Sequence, residues 1–235
     1  MDVQNLSPGQ QEARKRWGTQ KSGAAFDRKK TSYLTEEAQM FITQRAYCVI
    51  AGPGPESELC GQIALGESGF VQTPNGQTCL LPLDSTSRMS PILVGLQRLQ
   101  REGRAAQLGL FFICHSTRQR LCVQGRAELL SGSSQISHSP AHKSTWVRLH
   151  VQKAFFHCAK YIRTNVTGLT APVEAFFKRK WQPSSLRDCN QRHLSEEIRA
   201  FLAEQVLCFL CTMDREGQYA ANHRGGAPGF LVTLP

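Results

Sequence analysis

One forty-residue pattern occurs twice in this chain. Residues 34–73 run from LTEEAQMFITQRAYCVIAG to GESGFVQT, and residues 194–233 from LSEEIRAFLAEQVLCFLCT to GAPGFLVT. The offset is 160 residues throughout, with no gap, and ten of the forty positions are identical. They are Leu34/Leu194, Glu36/Glu196, Glu37/Glu197, Phe41/Phe201, Cys48/Cys208, Glu56/Glu216, Gly66/Gly226, Gly69/Gly229, Phe70/Phe230 and Thr73/Thr233. Average residue usage gives roughly two or three matches by chance. Most other positions exchange one apolar residue for another. The pattern is an internal duplication of one structural unit. Two copies do not make a solenoid. They make two related domains, or one complete domain and part of a second.

The copies differ in the length of chain beyond them. The first is followed by about 90 residues before a basic connector, and the second by two residues after Thr233. The second copy therefore lacks the strands that would complete its sheet. An open apolar edge is a liability in a free protein. The expectation is that the missing part comes from elsewhere, or that this is a C-terminally truncated version of a longer chain. Four segments result: a basic arm at 1–33, mobile or loosely docked; a domain at 34–162; a basic connector at 163–193; and a partial second copy at 194–235.

Each copy opens with a helix signal. Thr35 and Ser195 are N-cap residues, and the glutamates after them favour the positive end of the helix dipole. Ala38, Phe41 and Ile42, and Ile198, Phe201 and Leu202, supply an apolar stripe at helical spacing. A strand follows at Tyr47–Ala51 and at Leu207–Thr212, then a turn rich in Gly and Pro or Asp and Gly. A second strand, a Gly-x-x-Gly-Phe corner and a third strand come next. Pro74-Asn-Gly76 signals a hairpin, with Thr78–Leu83 after it. Ser90-Pro91 starts a helix that buries Ile92, Leu93, Leu96 and Leu99. Leu108–Cys114 is a fully buried strand, and residues 118–127 and 146–156 alternate as further strands. At least seven strands and two or three helices give a mainly β fold with flanking helices, of small-barrel type.

Composition narrows the partners. The net charge of +10 concentrates at 1–33, with seven Lys/Arg against three acids, and at 141–193, with ten against two. Such a balance suits an anionic partner, although a solvated basic surface explains it equally. The nine cysteines have no paired framework, which predicts reduced thiols in the cytoplasm. Cys208 and Cys211 are spaced as C-x-x-C but fall on a strand, where residues three apart face opposite ways, so buried apolar cysteine is the better account. The N-terminus has no apolar core of a secretory signal. The longest apolar run, Leu108–Cys114, is too short to span a bilayer.

Three segments can carry chemistry. The first is His223-Arg224-Gly225-Gly226. Glycines let a ligand approach the backbone, and arginine offers a forked cation for phosphate or a planar anionic ring. Copy one has Ile63-Ala64-Leu65-Gly66 there, so the polar residues are additions to a fold that does without them. A tight turn with an exposed arginine explains the same residues. The second is one face of a strand, Arg118, Arg120, Gln124 and Arg126, where guanidiniums can hold a phosphate. A solvent face predicts the same alternation. The third is Phe156-His157-Cys158-Ala159-Lys160. Neighbours on a strand point apart, so His157 and Cys158 form no direct dyad, and Lys160 as a phosphate contact is more plausible. No Ser/His/Asp set, Walker loop, dinucleotide fingerprint or zinc spacing is present.

At these segments the chain resembles the flavin-nucleotide-binding proteins related to pyridoxamine 5'-phosphate oxidase. The resemblance rests on LSPGQQEARKRWG (6–18), LTEEAQMFI with GESGFV, GLFFICHSTRQRLCVQGRAEL (109–129), VQKAFFHCAKYI (151–162) and NHRGGAPGFLV (222–232). These occur in the family's order and span nearly the whole chain. Ala159 stands where the family usually has proline, and Asn222 where it usually has serine. The family's next segment, Pro-Asp-Tyr and then Gly-Asn, is absent after Gly-Phe-Leu-Val.

The resemblance implies an FMN-binding split β-barrel with the start of a second copy, and an oxidoreductase-like function with FMN doing the redox chemistry. FMN lies between two barrels in family dimers, and a tandem chain mimics that pairing. His223, Arg224, Gly225 and Gly226 would then meet the cofactor, with Arg118, Arg120 and Lys160 as further contacts. No catalytic acid or base and no metal ligand is assigned. The implied partners are a flavin nucleotide and, in a homodimer, a second copy; a membrane is not among them. Nucleic acid is disfavoured, because no aromatic-plus-basic motif is present. The alternative is a non-catalytic truncated split barrel that has lost flavin and acts by binding or dimerisation.

Overall fold

The computed structural model describes residues 6, 8–84, 90–130, 144–160, 162 and 194–233. The connector expected at 163–193, and all but the last two residues of the polar loop at 131–145, lie outside the described residues.

Local signals set the helices. Helix α1 is Pro8–Arg16, α2 is Gln20–Asp27 and α3 is Glu36–Thr43. In α3 the Thr35 hydroxyl accepts from the Ala38 N–H at 3.2 Å, and Ala38, Phe41 and Ile42 are buried. Such a cap stabilises by about 1 kcal/mol. Helix α4, Pro91–Arg101, has Ser90 as N-cap with its hydroxyl 3.1 Å from the Leu93 N–H. Its face of Ile92, Leu93, Leu96 and Leu99 is buried. At Gly95 a Cβ would overlap the carbonyls of Pro53 and Gly54, so α4 lies directly against the strand ending there. Helix α5, Glu196–Glu204, repeats α3: the Ser195 hydroxyl accepts from the Ile198 N–H at 3.3 Å.

Seven strands form one antiparallel sheet. They are β1 Tyr47–Pro53, β2 Leu59–Leu65, β3 Gln72–Asn75, β4 Thr78–Asp84, β5 Ala106–Cys114, β6 Gln119–Leu129 and β7 Ser144–Phe156. Their order is β2-β1-β5-β6-β7-β4-β3. The fold is α+β and mainly β, as expected, with a split rather than a closed barrel: β2 and β3 remain the sheet's two edges. The inner face holds the main core, including Ile50, Leu81, Leu108, Leu110, Phe112, Val123 and Leu149, capped by α3 and α4.

The second copy supplies β8, Leu207–Met213, and β9, Tyr219–Gly225, as a separate hairpin. It lies on the outer face of the large sheet. There Tyr219 and Ala221 join Tyr47, Val49, Ala51, Phe111, Ile113 and Cys122 in a second apolar cluster. This explains why β1 is buried along its whole length and β5 nearly so. Both faces are covered, and a strand covered on both faces reads as a continuous apolar run. The approach is close: a Cβ on Gly109 would overlap the Tyr219 carbonyl.

The repeat also explains its own glycines. In each copy the first glycine of Gly-x-x-Gly-Phe faces the phenylalanine of that corner, and a Cβ on Gly66 or Gly226 would overlap Phe70 or Phe230. Gly69 and Gly229 both have φ of 86°, a value that favours glycine.

The arm docks through an aromatic group. Phe26 of α2 meets Phe155 edge-on with centroids 5.5 Å apart, and stacks on His157 at 5.6 Å. Thr31 bridges Ala154 in a single β-bridge. Arg14 pairs with Asp27 at 2.6 Å and holds that carboxyl down at about 2, which ties α1 to α2. No described helix is long and apolar enough to cross a membrane.

Candidate functional site

The row of side chains on the outer face of β6 meets the edge of β9. Gln124 Nε2 donates to the Tyr219 carbonyl at 2.7 Å, Cys122 Sγ to the Ala221 carbonyl at 3.4 Å, and Arg120 Nη1 to the His223 carbonyl at 3.3 Å. Alternate residues of one strand thus satisfy alternate carbonyls of the other. Edge carbonyls left bare would cost free energy on burial. Arg120 is itself buried and also donates to the carbonyls of Cys158 and Lys160 at 3.2 and 3.4 Å. Of the face expected to meet either phosphate or solvent, Arg120 and Gln124 therefore meet the second copy.

Beside this contact is a cleft of about 210 Å³ between β5, β6 and β7, the arm and the hairpin. Lys30 enters from the arm, Lys153 from β7 and Arg224 from β9, and among the described residues no carboxylate lines it. Gln124, Phe155, His157 and Asn222 complete its polar and aromatic wall. Lys30 Nζ is 2.6 Å from Asp27 and lies near the Phe26 and Phe155 rings. Lys153 is held below the usual lysine range by burial first and by Lys30 second, with Asp214 and Asp27 opposing. Arg224 is exposed and, among the described residues, donates only to the neighbouring His223 carbonyl, at 3.0 Å. Three cations from three separate elements thus converge on one hollow.

A larger hollow of about 470 Å³ lies between α4 and β6, and Arg126 is part of it. Two of its charged groups already have partners. Arg104 pairs with Glu102, and Glu128 with Arg148 and His150. A carboxylate, Glu128, also lines it, whereas among the described residues none lines the smaller cleft.

Of the seven expected site residues, Arg224 alone lines the cleft. His223 is buried behind it, ring to ring with His115 at 5.8 Å and Phe209 at 6.1 Å, and its Nδ1 has no hydrogen-bond partner among the described residues. Gly225 ends β9 opposite Leu207, and Gly226 donates its N–H to the Val206 carbonyl at 3.1 Å. Arg118 precedes β6 in a turn, at φ of 54°, and donates to the Ala159 carbonyl at 3.1 Å. Lys160 is exposed and does not line the cleft. Sequence reasoning did not select Lys30, Lys153 or Phe155. Their one legible signal was the alternation of β7, which places Lys153 and Phe155 on the same face.

His157 and Cys158 do turn to different partners. His157 Nε2 is 3.1 Å from Cys122 Sγ, while Cys158 Sγ is 3.8 Å from Arg120 Nη2. Burial pushes both His157 and His223 down to about 4; Arg120, Arg224 and Lys30 add to this at His157, and His115, Arg120 and Arg224 at His223. A histidine with a depressed folded pKa takes its proton more readily in the unfolded chain. The stability these two contribute is thus complete above about pH 6.5 and declines on acidification toward about pH 4. Urea unfolding at about pH 7 and about pH 5 should show a lower midpoint at the acid end. The difference should shrink in His157→Gln; an unchanged difference would place the acid-sensitive groups elsewhere.

No family model matches the chain, and no curated protein does. Solved structures do. A candidate pyridoxamine 5'-phosphate oxidase from Lactobacillus delbrueckii is 12% identical, with 53% of this chain covering 95% of that one at a TM-score of 0.40. Group A Streptococcus HupZ is 10% identical, with 52% of this chain covering 92% of that one at 0.39. A Clostridium acetobutylicum protein of the pyridoxinephosphate oxidase family, related to general stress protein 26, is 9% identical, with 52% covering 85% at 0.38.

Proposed function

We propose that this chain is an FMN-binding, oxidoreductase-like protein of the pyridoxamine 5'-phosphate oxidase type, with the cleft between the large sheet and the hairpin as its phosphate subsite. The observation that carries this reading is the convergence of Lys30, Lys153 and Arg224 on a cleft that no carboxylate lines among the described residues. Charge-assisted bonds from such groups are the strongest available for a phosphate. The donor set fits the phosphate-bearing end of the cofactor. Flavin, when bound, would supply the electron transfer. The chain's own part is to anchor the phosphate and to keep the arm and hairpin against the sheet around it.

A second reading, ligand binding without flavin, is favoured by size. The cleft holds about 210 Å³, whereas sites for ligands of drug size hold about 300–1,000 Å³. The absorbance of freshly purified protein between about 300 and 550 nm, with any released chromophore identified by mass, separates the two. Flavin bands, or uptake of added FMN, support the first reading. A colourless protein that takes up no FMN leaves the second. On the first reading Arg224→Ala should weaken FMN binding about tenfold, or about 1.4 kcal/mol. Its thermal midpoint should be unchanged, because Arg224 is exposed and among the described residues is bonded only to its neighbour. Unchanged FMN affinity in a folded variant would remove Arg224 from the site.

A further inference from the structure

The cleft contains a thiol and an imidazole that the flavin reading does not use. Cys122 on β6 and His157, just past the end of β7, both line it, and their sulfur and Nε2 are 3.1 Å apart. That separation is within the reach of a nucleophile and its base, about 2.6–3.2 Å. The imidazole is held in place by stacking on Phe26 at 5.6 Å and by the edge of Phe155 at 4.9 Å. The His157 N–H donates to the Arg120 carbonyl at 2.9 Å, which fixes the backbone beneath it.

We propose that Cys122 and His157 form a thiol–imidazole pair that makes this cleft a nucleophilic site for small anionic carbonyl compounds. The Cys122 sulfur attacks and His157 is its base. In the addition an S–C bond forms and the carbonyl π bond breaks. The S–H turns from the Ala221 carbonyl to Nε2, and its proton passes to Nε2 and from there to the former carbonyl oxygen, so no oxidant or other reactant is needed. Lys153 and Arg224 line the same cleft and favour both the anionic ligand and the charge that develops on that oxygen. A volume of about 210 Å³ admits a small molecule only.

The pair is uncharged at rest. Burial pushes the Cys122 thiol up to about 12, with the Arg120 guanidinium opposing, and holds His157 down at about 4. The proton stays on sulfur until a ligand is in place. Cys114 is the contrasting thiol. Burial raises it, but hydrogen bonds from Ser116, Thr117 and Arg45 outweigh that and bring it down to about 6. General thiol reagents should therefore find Cys114 and the exposed Cys158 before Cys122, which is reached readily only when the reagent is an anion.

The test uses the full chain with two alkylating probes, anionic iodoacetate and neutral iodoacetamide, and follows each cysteine by peptide mass. The rate ratio of iodoacetate to iodoacetamide at Cys122 should exceed that at Cys114 by about tenfold, through local concentration by the cations. Glyoxylate, a small anionic aldehyde, should protect Cys122 and leave Cys114 unprotected. His157→Gln should slow carboxymethylation of Cys122 by about 100-fold, with the Cys114 rate unchanged as the sign of an intact fold. Equal ratios at the two cysteines, or an unchanged Cys122 rate in a folded His157→Gln variant, would overturn the proposal. Should that variant not fold, the wild-type ratio and glyoxylate protection decide alone. The proposal needs the cations and not the flavin. FMN uptake read by absorbance on a separate sample therefore keeps its failure apart from the failure of the cofactor reading.

Discussion

Replacing Phe41 with alanine will lower folding stability by about 3–5 kcal/mol, whereas the same change at Phe201 will cost less than about 0.5 kcal/mol. The two residues occupy matching positions in the repeat and the same place on matching helices, α3 and α5. Their surroundings differ. Phe41 is 6% exposed, packs edge-on to Phe156 at 5.4 Å and has the Arg45 guanidinium 4.7 Å above its ring. Phe201 is 61% exposed. The neighbours follow the same division: Ile50 is fully buried and its counterpart Leu210 is 46% exposed. In copy one the inner face is closed by β4 to β7; in copy two no described strand does this. Chemical denaturation of both variants at two protein concentrations reads the difference. Comparable losses would mean that the α5 face is covered in solution, and a concentration dependence would identify a second copy as the cover.

The local part of this architecture was legible in the sequence. Thr35, Ser195 and Ser90 cap their helices because capping depends on the next three residues alone. The run Leu108–Cys114 was legible as a strand buried on both sides, but the element covering its outer side was not, since β9 lies about a hundred residues further along the chain. The same distance hid the purpose of the β6 face. Alternation showed Arg120 and Gln124 side by side; only the packed structure shows their donors on the carbonyls of β9. Arg118 shares their parity, yet a left-handed turn takes it out of the strand. Arg224 was legible because copy one has alanine there. Lys30 and Lys153 were not, because three elements must pack before their charges meet. His157 was noticed beside Cys158, but its partner is Cys122, 35 residues away, brought near by the pairing of β6 with β7.

Arg120→Ala should cost about 3 kcal/mol, although among the described residues no carboxylate pairs with this side chain. Its guanidinium donates to the carbonyls of Cys158, His223 and Lys160. Each hydrogen bond to a charged group is worth about 1.5–3 kcal/mol, and water admitted by the smaller side chain returns part of the sum. Arg120→Lys should restore little, because one ammonium cannot reproduce a planar fork reaching two segments at once. The loss should be localised. Amide exchange should quicken in β9 and in the segment after β7, while α4 and the inner face of the sheet keep their protection. A cost below about 0.5 kcal/mol would mean that β9 is held by the apolar contacts of Tyr219 and Ala221 without the arginine. The resemblance implies a cofactor contact for Arg120; its hydrogen bonds to Cys158, Lys160 and His223 give it a hold on one wall of the cleft. These roles separate cleanly. A structural hold loses stability and ligand together, in proportion to the opening of the hairpin. A contact loses ligand while its unfolding midpoint stays at the wild-type value.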